Sequence, residues 1–164
     1  VFPDEKLMIK DICCNPMRIS HDAADPVAYR FAHGRKKAAI VTDLGNYNDY
    51  TVESLKGMDA LLLEANHDIN MLQVGPYPYY LKQRILGDKG HLSNERAGQL
   101  LTRLIHDDLQ AVLLGHLSKE NNMPELAYEA VRVEMTMADE GIAVRDLPMQ
   151  VARRNEVTPV IHIA

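Results

Sequence analysis

The chain has 164 residues, 46% of them apolar and 25% charged, which fits one soluble domain with a sizeable core and argues against whole-chain disorder. A formal net charge of −5 argues against a broad basic surface for non-specific nucleic-acid binding, although Lys82, Arg84 and Lys89 could form a local patch. Cys13 and Cys14 are adjacent and make no disulfide framework or zinc-type spacing, so they read as reduced thiols of a cytoplasmic protein. The longest apolar runs, 60–63 and 111–114, are too short to span a bilayer, and no basic-then-apolar leader opens the chain. It begins at Val1 rather than Met, as expected of a truncated or processed product.

Up to about Phe31, short apolar stretches broken by turn residues predict two or three strands. Residues 37–42 (KAAIVT) read as a buried strand closed by Asp43 and Gly45, and 51–56 as a short helix capped at Thr51 and stopped at Gly57. Residues 59–63 (DALLL) predict a second buried strand ending at Glu64. Residues 66–90, rich in Gly, Pro and Tyr, read as one long connection, and loops of that length are usually functional or disordered. Ser93 caps a helix whose apolar face is Ala97, Leu100, Leu101, Leu104 and Ile105. Residues 110–114 form a third buried strand before Gly115 and His116. Pro124 starts a helix with Leu126, Ala127, Ala130, Val131 and Val133 at its apolar positions. The tail from Ile142, with stretches at 149–152 and 157–163, suggests a closing hairpin. Strands alternating with helices make this an α/β layered domain over residues 1–164.

The unusual polar residues fall at strand ends. His21 follows an apolar stretch, Asp43, Glu64 and His116 each end a buried strand, and His91 precedes a helix. Ligands gather beyond the carboxyl ends of strands in open α/β sheets. Imidazoles and a carboxylate are the donor set for zinc, manganese or iron. Singly, each has an ordinary explanation: a structural histidine, an Asp–Leu–Gly turn, a helix-capping glutamate.

Together the segments HDAADPVAYRF (21–31), TDLG (42–45), LEANHD (63–68), GHLSNERAG (from Gly90) and GHLSKENN (from Gly115) stand in the order of metallo-β-lactamase-fold proteins. They most resemble the YycJ-like (WalJ) branch, related to the tRNA-processing ribonuclease Z enzymes. The resemblance implies that His21 binds the first metal, Asp43 bridges both and His116 binds the second, the metals being zinc or manganese. It implies that Glu64 supports His91 as proton donor to the leaving oxygen of a phosphodiester attacked by metal-activated hydroxide. His67, Asp68, Ser118 and Asn121 are candidates to orient substrate. His33, His106 and His162 match no motif position and read as structural.

The family's principal motif, His-x-His-x-Asp-His, is absent: no two histidines here are separated by a single residue. The expected fold is therefore the C-terminal half of an αββα sandwich, one mixed sheet with flanking helices and an incomplete metal site. Its bare sheet face calls for a partner, either the missing N-terminal half or a second copy. Two functions follow: a fragment of a metal-dependent nuclease-like hydrolase, or a non-catalytic association module that keeps the motifs.

Overall fold

A computed structural model describes residues 2–138 and 147–164. Strands β1 (Leu7–Ile9), β2 (Ile12–Arg18), β3 (Val27–His33) and β4 (Lys36–Val41) come first. Helix α1 (Asp49–Leu55), β5 (Ala60–Glu64), α2 (Ile69–Val74), α3 (Tyr79–Leu86) and α4 (Asn94–Thr102) follow. The described chain closes with β6 (Ala111–Gly115), α5 (Pro124–Met137) and β7 (Met149–Val151). The seven strands form one mixed sheet in sequence order. Pairing is antiparallel from β1 to β4 and parallel from β4 to β7.

The sheet buries one face. Ala39, Val41, Leu61, Leu63, Val112 and Leu114 alternate along the central strands and join Val52 and Leu55 of α1. Ala97, Leu100 and Leu101 of α4 and Ala127, Val131 and Met135 of α5 complete that core. Side chains of period two point to opposite faces, so the residues between them line the other side. There Tyr29 pairs with Ile40, Ile40 with Leu62, and Leu62 with Leu113, an apolar row across four strands. Ile40 in that row is 43% exposed. The expected single sheet with helices is therefore present, and its second face is apolar, with Ile40 exposed and Tyr29, Leu62 and Leu113 partly buried.

The capping chemistry explains the helix starts. Asn48, rather than Thr51, is the N-cap of α1; Thr51 closes the capping box from the third helical position. Ser93 accepts from the Arg96 amide at 3.2 Å and starts α4, which ends at Thr102, so Leu104 and Ile105 pack from the following turn. In α5 the buried positions are Ala127, Val131 and Met135, while Val133 is exposed.

Two expectations change. The 66–90 connection is not a structureless loop but carries α2 and α3, of six and eight residues. They are too short and too polar to show a helical period. The tail makes no hairpin: residues 149–151 form one strand parallel to β6, and 157–163 lie outside any strand. Residues 142–146 of that expected tail lie outside the described residues. No helix among the described residues is long and apolar enough to cross a membrane.

Candidate metal centre

Strand direction brings the site together. Strands β4, β5 and β6 are parallel, so Asp43, Glu64 and His116 leave the sheet at one edge. Strand β2 is antiparallel to β3, which is antiparallel to β4, so β2 points the same way and delivers His21 there. The Gly45 amide donates to the Ser20 carbonyl at 2.8 Å, tying the Asp43 turn to the His21 loop. A side chain at Gly45 would meet the Asp88 carbonyl at 2.5 Å, so the 86–90 segment closes down only on a glycine. That segment ends at Gly90, whose carbonyl lies 3.0 Å from His21 Nδ1.

Asp43 sits in the middle. Its Oδ1 is 3.6 Å from His21 Nε2 and 3.8 Å from His116 Nε2. Its backbone and that of His116 are left-handed, with φ of 59° and 57°. Non-glycine residues hold that conformation only where their surroundings impose it, and such residues cluster at functional sites. For His116 the restraint is visible: Asn66 Nδ2 donates to its carbonyl at 2.8 Å.

Glu64 is fully buried and uses both oxygens. Its Oε1 lies 2.7 Å from Nδ1 of His91 and 2.7 Å from Nδ1 of His116, and Oε2 accepts from the Leu44 amide at 2.7 Å. Burial pushes the Glu64 pKa up, but the hydrogen bonds from His116 and His91 outweigh it and hold the carboxyl below its usual range. The bond to Glu64 likewise raises the His116 pKa, against the effect of burial and of nearby Arg154.

The tautomers of the three histidines fit a divalent ion. An ionised carboxylate and a carbonyl only accept, so His21, His91 and His116 each carry their proton on Nδ1. Nε2 of His21 and of His116 is thereby left as a lone pair facing Asp43. Carboxylates and carbonyls that accept from the far ring nitrogen fix metal-binding histidines in this way. Two donors of one tetrahedral zinc ion are roughly 3.4 Å apart, given bonds of about 2.0–2.1 Å, so the spacings to Asp43 suit shared coordination. Two triads have ligand atoms within 4.8 Å of one another: His21, Asp43 and His91, and Glu64, His91 and His116. His21, Asp43 and His116 do not close into one such triad among the described residues. Asp43 belongs to the first triad only, although its Oδ1 lies within 4 Å of Nε2 of both His21 and His116.

A cavity of about 860 Å³ opens over these groups, lined in part by His21, His91, His116 and Ser118. The other expected substrate groups are not on its wall. The Asp68 carboxylate caps α2 through the Met71 amide at 2.7 Å. Asn121 is fully buried, and its amide donates to Ser118 Oγ at 3.2 Å. His67 is 1% exposed with Nδ1 unpartnered, and burial lowers its pKa to about 4. His33 bonds Asp11 and His106 bonds the Met58 carbonyl, each at 3.0 Å, and His162 is exposed in the tail.

Groups that the sequence reading passed over complete the support. The two Gly-His-Leu-Ser segments end in Asn94 and Asn122, whose amides bond each other at 3.0 and 2.8 Å. Asn122 also donates to the carbonyls of Ala65 and Asn66 at 2.9 and 3.0 Å, locking the loop after Glu64. A buried asparagine after each repeated tetrapeptide was the available signal. Arg153 and Arg154 on the cavity wall carried none.

Solved structures place the fold. The metallo-β-lactamase fold protein YhfI from Bacillus subtilis matches with TM-score 0.62 at 18% identity, over 93% of this chain and 52% of its own. Zn(2+)-bound PqqB from Methylobacterium extorquens gives 0.55 at 14% identity, over 93% of this chain and 52% of its own. The sheet and its helices are those of a metallo-β-lactamase-fold protein.

Sequence relatives narrow this. Exodeoxyribonuclease WalJ of Streptococcus pneumoniae is 39% identical over 153 residues, 93% of this chain and 56% of that protein. Exodeoxyribonuclease YycJ of Bacillus anthracis is 40% identical over 134 residues, 82% of this chain and 50% of that protein. No family model matches. The chain belongs to the metallo-β-lactamase superfamily, in its YycJ/WalJ branch. It spans about half the length of the curated relatives it matches.

Proposed function

We propose that this chain is the C-terminal part of a metal-dependent phosphodiesterase that cleaves nucleic acid, in which His21, Asp43 and His116 would hold divalent ions. The observation that carries the reading is the position of Asp43 between the Nε2 atoms of His21 and His116. Imidazole donors suit zinc and carboxylate donors suit manganese, and the site offers both. A divalent ion held there supplies Lewis-acid activation of water and of a phosphoryl oxygen.

The chain's own residues supply the rest. The Gly90 carbonyl and Glu64 keep the metal-facing nitrogens of His21 and His116 unprotonated by holding the proton on Nδ1. Glu64 accepts from His91 Nδ1 and orients the ring, so His91 would pass a proton to the leaving oxygen from Nε2 once the ring has taken up a second proton there. Ser118, on the cavity wall, is placed to bond the substrate. His67, Asp68 and Asn121 act by holding the loops in place. The names of the WalJ and YycJ relatives support a nucleic-acid substrate for this same cavity.

A second reading, a non-catalytic half-domain, rests on a specific count. Each metal position has one of these histidines and a shared aspartate, whereas a catalytic zinc commonly has three protein ligands. In the hydrolase reading the remaining ligands come from a segment or second copy that covers the bare sheet face.

Elemental analysis of protein purified without added metal separates the two. The chain together with its covering segment is expected to hold two ions and to cleave single-stranded DNA, and Asp43→Asn to abolish both. Two bound ions with no cleavage of any phosphodiester would overturn the hydrolase reading. Absence of metal from the complete protein would leave the half-domain reading in its place.

A further inference from the structure

Strands β6 and β7 run parallel, with Leu114 beside Val151, so the residues after each strand leave the sheet at the same edge. His116 follows β6, and Arg153 and Arg154 follow β7. The pairing continues one residue further, since the Ala152 amide donates to the Leu114 carbonyl at 2.8 Å. Arg154 Nη2 then donates to the carbonyl of Leu117 at 2.9 Å. That bond holds the guanidinium beside the residue after His116, on the cavity wall, and uses one of its five N–H donors.

Four cations line the cavity: Arg84, Lys119, Arg153 and Arg154. Three face carboxylates. Arg84 bonds Asp22, Arg153 lies 3.4 Å from Glu125 and 3.9 Å from Glu156, and Lys119 lies 4.0 Å from Glu120. Arg154 makes no ion pair among the described residues, although the chain carries a net charge of −5. An arginine tethered by a neutral carbonyl keeps its full charge and most of its planar donor fork, the geometry that grips phosphate oxygens in pairs. No local signal marks Arg154 in the sequence, because only the parallel β6–β7 pairing brings it to the histidines.

We propose that Arg154 is a substrate-binding residue that holds a phosphate of a single nucleic-acid strand beside His116. It presents its free N–H groups to the non-bridging oxygens. The proposal rests on the phosphodiesterase reading above and adds to it the group that places the phosphate.

The test measures binding, not turnover. A short fluorescein-labelled oligothymidylate is titrated by fluorescence anisotropy into the complete wild-type protein, with EDTA present to prevent cleavage, at about 50 to 200 mM salt. Arg154→Gln is expected to weaken binding about tenfold and to lower the slope of log affinity against log salt by about 0.7. Arg154→Lys is expected to keep the slope but recover only part of the affinity, because an ammonium lacks the fork. Arg35→Gln, outside the cavity, serves as the unchanged control. Arg154 is exposed, so its variants keep the fold, which circular dichroism checks.

Equal affinity and slope for wild type and Arg154→Gln would overturn the proposal and leave the phosphodiesterase reading intact. No binding by wild type at the lowest salt would also overturn it. Metal analysis of the complete protein does not depend on Arg154, and together with DNA cleavage by the wild-type protein it would then decide separately whether the wider reading falls too.

Discussion

Glu64 binds two imidazoles through one oxygen and a backbone amide through the other, with no exposed surface. Glutamine in its place would turn an amide N–H₂ towards one of those donors. Glu64→Gln is therefore expected to weaken divalent-metal binding about 10- to 100-fold, the usual cost of losing such an outer partner. A zinc competition titration on the complete protein reads this directly. His67 supplies a pH-dependence with a definite sign. Its folded pKa of about 4 lies below the ordinary 6.5, so the unfolded chain takes up a proton that the folded chain refuses. Stability is full above about pH 6.5 and is lost as pH falls towards 4, by about 2–3 kcal/mol. Urea denaturation across that range should show the loss in wild type and not in His67→Gln. The raised pKa of His116 has the opposite sign. Its contribution is present below pH 6.5 and is lost as pH rises through the folded pKa. Comparison with His67→Gln cancels it.

Helices α4 and α5 meet through Gly98. A methyl group there would lie 2.6 Å from Glu134 Cβ and 3.1 Å from the Val131 Cα. Alanine is the better helix former by about 1 kcal/mol, but this contact cannot relax without separating the two helices. Gly98→Ala is expected to destabilise the fold by about 1–3 kcal/mol, read as a lower urea midpoint. The elements legible in the sequence were those with a long period or a strong cap: the buried central strands and the helices begun by Ser93 and Pro124. Helices α2 and α3 were not, because six and eight residues hold too few turns for a period to show. Asp68 illustrates the ambiguity. A carboxylate after His67 reads as readily as a substrate group as it does as the cap of α2, and only the Met71 amide beside it decides.

Across the sheet, the row Tyr29, Ile40, Leu62 and Leu113 lies on the face opposite the helices, with Ile40 exposed and the other three partly buried. Apolar surface left in water costs roughly 25 cal/mol per Å², so covering this face is strongly favoured. The 164-residue chain produced alone is expected to self-associate through it, and Ile40→Lys to suppress that association without changing the circular dichroism spectrum. Sedimentation velocity over a concentration series checks both; a monomeric wild type at all concentrations would contradict the expectation. What the sequence determined by itself was local or periodic: the buried central strands, the helices begun by Ser93 and Pro124, and the polar residues that end the strands. Those follow from side-chain period and capping, which neighbouring residues set. The tertiary structure alone decided that one buried carboxylate serves both His91 and His116, and that the tail adds a single parallel strand with Arg154 at its end. Both depend on the alignment of strands far apart in the chain, and no local pattern encodes that alignment.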